Sequence, residues 1–179
     1  LGVCMLLALE TATDQCSVVL YDGAGVQAER LDTRAREQTR LILPMIDAVL
    51  AERNLTFNDL SAIAFSRGPG SFSGVRINAA VTQALAWAHD LPVIAVSTLQ
   101  ALAQHTYAQQ GLNRVCAVID ARMNEVYAAS FQLDQSGVMQ MIGEEQLAAY
   151  SAVSIAEGTQ ALVGSGSALV AEETARDLP

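Results

Sequence analysis

Ser66-Arg67-Gly68-Pro69-Gly70-Ser71-Phe72-Ser73-Gly74-Val75-Arg76 joins a short apolar run, Ala62 to Phe65, to a long alanine-rich segment, Val75 to His89. The run has the length and composition of a buried strand, and the segment after it reads as a helix. The stretch between them is therefore a strand-to-helix turn. Glycines at such a turn let a ligand approach the backbone, and a helix N-terminus attracts anions. The glycines at 68, 70 and 74, followed by Val75 and Arg76, depart from the phosphate-loop pattern, which needs a Lys and a hydroxyl residue after its last glycine. The spacing favours a tight turn in which Ser71 or Ser73 caps the helix, with an anion site as the alternative.

The flanking segments extend this strand-turn-helix unit in both directions. Upstream, Leu6 to Glu10, Cys16 to Tyr21 and Val26 to Leu31 are three strands of a meander, with Asp22-Gly23 in the second turn. Glu37 to Glu52 reads as a helix with Pro44 inside it, so a kink or a later start is expected. Its apolar residues, Leu41, Ile42, Leu43, Met45, Ile46, Val49 and Leu50, spread over an arc wider than the roughly 100° that one buried stripe needs. Downstream, Pro92 to Val96 is a strand, and Ser97 or Thr98 can cap a helix running to about Gln109. The pattern then restarts: Val115 to Asp120 is again an apolar run ending in an acid, followed by Glu125 to Gln132, a turn at Asp134 to Gly137, and Val138 to Ile142. A helical segment from Glu144 to Ala156, a strand at Ala161 to Val163, a Gly164-Ser165-Gly166 loop and a last helix complete it. Two successive units of this kind predict a duplicated α/β protein with a mixed sheet in each half, divided into 5–110 and 111–179.

Composition narrows the function. The 179 residues are 51% hydrophobic, enough to bury a core, and carry a net charge of −9. That charge opposes direct binding to a polyanion unless positive charge is concentrated. All ten basic residues are Arg, and Arg30, Arg34, Arg36, Arg40 and Arg53 lie around one segment; Arg favours carboxylates at protein contacts, against a plain solvated face. No apolar run approaches the roughly 18 residues of a membrane span, and no secretory leader opens the chain, so a soluble cytoplasmic protein is expected. Leu1 to Cys4 precede a Met5 that looks like a natural start. Cys4, Cys16 and Cys116 lack metal-ligand spacing and are expected to be free, buried thiols.

The stretches LALETATDQCSVVLYD, REQTRLILPMIDAVL, AFSRGPGSFSGVRIN, PVIAVSTLQALA and AVIDARMNEVYAA, in this order, resemble the bacterial TsaB family, also called YeaZ. The resemblance implies duplicated actin-like (ribonuclease H-like) halves, each a mixed β-sheet with flanking helices, and more chain at the C-terminus returning to the first half. It implies an accessory role in making N6-threonylcarbamoyladenosine beside the anticodon of tRNA, where the paralogue TsaD performs the transfer, TsaC makes the activated adenylate and TsaE supplies an ATPase. The two metal-binding histidines of TsaD correspond here to Thr98 and Leu102, which cannot stand in for imidazole. The phosphate hairpins of ATPases with this fold correspond to Glu10-Thr11-Ala12-Thr13 and Asp120-Ala121-Arg122-Met123, without a glycine. No metal or cofactor is expected. Ser71 and Ser73 have no evident base, and Gly70 to Gly74 puts Phe72 where a nucleophile elbow needs serine.

What remains is a surface. On the Val75 to His89 helix, Ile77, Val81, Ala84, Leu85 and Ala88 make one apolar face, expected in the core. Val75, Ala79, Ala80, Ala86 and Trp87, with Arg76 and Gln83, make a second. Small residues permit close helix approach, and Arg and Trp are interface-enriched. With Leu41, Ile42 and Met45 on the neighbouring helix and Arg67 at the rim, this second face is expected to bind TsaD, or a second copy when TsaD is absent; the chain's own C-terminal segment is the alternative cover. TsaE and tRNA are expected to be met through the complex. The runner-up function is an ATP-binding phosphotransferase or ATPase of the same fold.

Overall fold

The computed structural model describes residues 4–34 and 36–176, with side chains to residue 173. The chain divides into two compact units between Val96 and Ser97. The first contains strands Leu6–Glu10 (β1), Cys16–Tyr21 (β2) and Val26–Asp32 (β3), helix Gln38–Glu52 (α1), strand Ala62–Ser66 (β4), helix Phe72–His89 (α2) and strand Val93–Val96 (β5). Its sheet has the order β3-β2-β1-β4-β5. The β1–β2–β3 meander is antiparallel, whereas β4 runs parallel to both β1 and β5. Alternation puts Leu7, Leu9, Val18, Leu20 and Ile63 on one face of the sheet. There they form a single core with Ile42, Met45, Ile46, Val49 and Leu50 of α1 and Ala86 of α2. Helix α1 runs through Pro44, whose missing N–H leaves one helical hydrogen bond unmade, and the helix packs on β2 and β3.

The second unit contains helix Thr98–Gln110 (α3), strands Arg114–Arg122 (β6), Glu125–Leu133 (β7), Met139–Ala149 (β8) and Ala161–Val163 (β9), and helix Ser167–Arg176 (α4). Its sheet order is β8-β7-β6-β9, with only the β6–β9 pair parallel. Leu99 and Ala103 of α3 pack with Val115, Ala117, Ala129 and Phe131 on one face. Cys116, Val118, Val126 and Ala128 pack with Val170 of α4 on the other.

Three expectations are revised. Helix α3, expected in the first half, packs on β6, β7, β8 and β9, which moves the division from 110/111 to Val96/Ser97. The segment from Glu144 to Ala156 is not a helix: β8 continues to Ala149, paired with β7 as far as Glu125, and a short 3-10 turn follows at Tyr150–Ala152. Tertiary pairing outweighs the helix propensity of Glu, Gln and Ala here. Cys16 and Cys116 are buried free thiols, as expected, but Cys4 is exposed.

Candidate docking site on helix α2

The turn from Ser66 to Arg76 is built by close backbone approach. An ideal Cβ on Gly70 would lie 2.1 Å from the Ala12 carbonyl oxygen, and one on Gly74 would lie 2.0 Å from that of Thr11. Only glycine fits at either place. The Ser71 amide donates to the Ala12 oxygen at 2.7 Å, and the Thr11 hydroxyl donates to the Gly74 oxygen at 2.7 Å. Ser71 is the N-cap, its Oγ accepting from the Gly74 amide at 3.2 Å. The donors of Ser71 and Gly74, which an anion site would present to a ligand, are thus engaged by the chain itself.

The next turn of α2 is held by a polar residue. Asn78 is fully buried, and its Nδ2 donates to the Leu9 oxygen at 3.1 Å, the Ser66 oxygen at 3.0 Å and the Ser66 Oγ at 2.9 Å. Gly74, Asn78, Thr82 and Ala86 form the buried line of the helix. The expected core face is therefore only partly right. Ile77, Val81 and Leu85 are half-buried against the core, but Ala84 and Ala88 are exposed and Ala86 is inside. Small residues and one hydrogen-bonding amide let α2 lie close to β1 and β4, and this rotates its contact line away from the large aliphatic residues.

The opposite side of α2 carries the candidate surface. Arg76, Ala79, Ala80, Gln83 and Trp87 are all exposed, Trp87 to 90%. Ala79, Gln83 and Trp87 border an open groove of about 860 Å³ that also takes in Phe65, Leu91 and Val93. Arg67 is exposed at the start of the turn, its amide bonded to the Val96 oxygen at 2.9 Å. Two residues assigned to the surface from the sequence do not reach it: Ile42 is 1% exposed and Met45 8%, both in the core of their own unit. The wide apolar arc of α1 is explained by the depth of that core, which leaves Leu43 exposed and Leu41 half-buried. Phe72, missed from the sequence, is 76% exposed, and the Arg76 guanidinium lies 3.4 Å from its ring centroid. Their spacing of four residues on one helix was the available signal.

The two turns corresponding to phosphate hairpins differ in what fills them. In the first, one oxygen of the Glu10 carboxylate accepts from the amides of both Ala12 and Thr13. In the second, the Asp120 carboxylate accepts from the Arg122 amide at 2.8 Å and from its guanidinium at 3.3 Å, while Arg122, Met123 and Asn124 all have positive φ. Gly164 and Gly166 close on Val118 and Asp120 of β6, and Ser165 Oγ accepts from the Asp120 amide at 3.1 Å.

Residues 26–163 match the family model described as TsaD, tRNA N6-adenosine threonylcarbamoyltransferase. With two mixed sheets flanked by helices, this defines the class: an α/β protein of duplicated actin-like, ribonuclease H-like halves related to that transferase. The tRNA threonylcarbamoyladenosine biosynthesis protein TsaB of Escherichia coli is 43% identical over 159 residues, 89% of this chain and 68% of that protein. TsaB of Haemophilus influenzae is 50% identical over 68% of this chain and 51% of its own length, so the chain spans about half of that relative. The structure of YeaZ from Pseudomonas aeruginosa superposes with a TM-score of 0.83 at 41% identity, over 89% of this chain and 74% of that one. The chain belongs to the TsaB family, also called YeaZ. Among the described residues no helix is long and apolar enough to cross a membrane.

Proposed function

We propose that this chain is a non-catalytic subunit that binds and stabilises TsaD in the complex making N6-threonylcarbamoyladenosine in tRNA, and that the exposed face of α2 is its docking surface. The observation that carries the proposal is the exposure of Trp87 beside Ala79, Ala80 and Gln83 at the rim of an apolar groove. An indole in water beside a strip of small side chains is the composition of an interface core, where aromatic anchors contribute most of the affinity. The same face meets a second copy when TsaD is absent. TsaE joins through the platform that TsaD and this chain form, and the net charge of −9 leaves tRNA contact to the complex.

The test places Arg or Glu at Ala80. Because Ala80 is exposed, the variant is expected to fold with stability within about 0.5 kcal/mol of the parent, to lose TsaD association, and to lose in vitro tRNA modification with it. Trp87→Ala is expected to weaken association by at least about tenfold. Undiminished complex formation by folded variants refutes the assignment. Calorimetry with Mg-ATP tests the competing phosphotransferase or ATPase reading: a 1:1 micromolar signal on the chain alone overturns the scaffold-only role.

A further inference from the structure

Strand β8 is the outer strand of the second sheet, and side chains of α3 occupy the start of its outer edge. In antiparallel pairing, every other residue of an edge strand turns its N–H and C=O away from its partner strand. Met139 is such a residue: Leu133, opposite it in register, sends its own amide the other way, to the Asn113 oxygen at 2.8 Å. Gln104 Oε1 accepts from the Met139 amide at 2.8 Å, and Gln104 Nε2 donates to the Gly137 oxygen at 3.0 Å. One carboxamide thus serves the C=O of residue 137 and the N–H of residue 139, the two groups that one residue of a parallel neighbouring strand would serve. Gln100 Nε2 donates to the Met139 oxygen at 2.9 Å, and Ser97, the N-cap of α3, reaches Glu145 Oε2 at 3.4 Å. Positions 97, 100 and 104 make one polar row along α3, beside the Leu99 and Ala103 that it buries in the core.

The stretch beneath this row is the one that needs it. Val138-Met139-Gln140-Met141-Ile142 has no charge and no proline, the composition that pairs edge to edge. Farther along the strand, Gly143 at a φ of +77° lies where the register with β7 shifts, and exposed Glu144 and Glu145 follow. A bulge and charge are ordinary guards of an edge. We propose that Gln100 and Gln104 stand in for a neighbouring strand: they close the start of the β8 edge to strand addition, and without them this edge pairs with the same edge of a second copy. The pairing would run antiparallel about a twofold axis through Met139 and Met141, whose outward groups recur at every second residue. It is separate from the α2 face and does not rest on the function proposed above.

The experiment is run in the full chain carrying Ala80→Arg, so that association through α2 does not mask the result. Gln100→Ala with Gln104→Ala is compared with this background by amide hydrogen exchange and by sedimentation velocity up to millimolar concentration. The Met139 amide is expected to exchange at least about tenfold faster in the double variant, while the Val118 amide in the core keeps its protection. Self-association beyond that of the background is expected to appear, and adding Met141→Lys is expected to abolish it, because lysine on an edge strand opposes pairing. An equally protected Met139 amide overturns the carboxamide clamp. A double variant with a fast-exchanging Met139 amide and no added association overturns the guarding role, as does added association that Met141→Lys leaves unchanged. If the double variant does not fold, Gln104→Ala alone is read in the same way, since it removes both bonds of the carboxamide.

Discussion

Each half of the molecule packs a glycine loop, placed after a parallel strand, against the backbone at the end of its first strand, but the two halves close the neighbouring turn differently. In the first, Gly70 and Gly74 meet the carbonyls of Ala12 and Thr11, and the turn is buried around the Glu10 carboxylate. In the second, Gly164 meets the Val118 carbonyl, and the hairpin tip points into water with three successive residues in the left-handed region and Met123 91% exposed. The helix launched from the first loop has eighteen residues and presents an apolar outer face; the one from the second has ten and carries Glu172 and Glu173. Glycine in these loops therefore serves backbone contact between strand and helix in both halves. What distinguishes the halves is the filling of the turn and the surface that the helix exposes.

The largest expected effect tests the shared part. Gly74→Ala puts a methyl group 2.0 Å from the Thr11 oxygen, and Gly164→Ala puts one 2.3 Å from the Val118 oxygen, with a φ of +111° besides. Neither backbone oxygen can swing aside as a side chain does, so each substitution should cost about 3 kcal/mol in urea unfolding. Gly143 serves as control: its φ is +77° with nothing within 4 Å, and Gly143→Ala should cost only about 1 kcal/mol. Equal effects at positions 74 and 143 break the close-approach account of the loops.

Asn78→Ala should cost about 2 kcal/mol, because it withdraws one donor group from three buried acceptors on β1 and β4. Among the described residues of α4, the buried one is Val170, which packs among the apolar Cys116, Val118, Val126 and Ala128. Introducing Leu at Asn78, which fills the space with carbon, should be no better than Ala if the hydrogen bonds carry the stabilisation. A clearly more stable Leu variant would show that volume decides.

The sequence showed the repeated order of strands and helices because periodicity and turn residues are local properties, and the β1 to β5 sheet follows from them. Ser71 could be read as a cap for the same reason. The burial line of α2 could not be read from the wheel, since hydrophobicity ranks Leu85 and Ala88 above Asn78, while the structure buries Asn78 because the carbonyls of Leu9 and Ser66 await a donor. Ile42 and Met45 looked like surplus apolar residues because the wheel does not report how deep a core lies beneath a helix. The segment at Glu144 shows the same limit from another side: its residues favour a helix alone, and only the partner strand β7 makes them a strand. Ala79, Ala80, Gln83 and Trp87 were legible as a second face, and the described core of their own unit does not include them.

A smaller effect separates the two halves by its sign with pH. Burial pushes the Glu10 carboxyl up despite the hydrogen bonds from Ser66, Ala12 and Thr13. In the second unit, hydrogen bonds from the Ser136 side chain and the Val138 amide hold Asp134 down at about 2. A raised carboxyl binds its proton more tightly when folded, so the contribution of Glu10 is complete below its unfolded pKa and is lost as pH rises through the folded value. The contribution of Asp134 is present above its ordinary unfolded value and is lost as pH falls through about 2. Denaturation between neutral pH and strong acid should therefore show Glu10→Gln removing a gain on mild acidification, and Asp134→Asn removing a loss at stronger acid. The same sign for both variants would mean that burial does not govern the Glu10 turn.

The smallest effect concerns the tip of the second hairpin. Met123 has a φ of +55° between two residues that are also left-handed, and its side chain lies almost wholly in solvent. An L-residue in this region is strained by about 1–2 kcal/mol, whereas glycine adopts it freely but orders from a more disordered unfolded chain. Met123→Gly should therefore stabilise the protein by about 0.5 kcal/mol, read as a rise in the urea midpoint with unchanged slope. Glycine at Thr11, in the corresponding turn of the first half, should do the opposite, because Thr11 is buried and donates its hydroxyl to Gly74. A Met123→Gly variant less stable than the parent would show that contacts of the methionine hold the hairpin, and the second turn would then be filled by a side chain as the first is by Glu10.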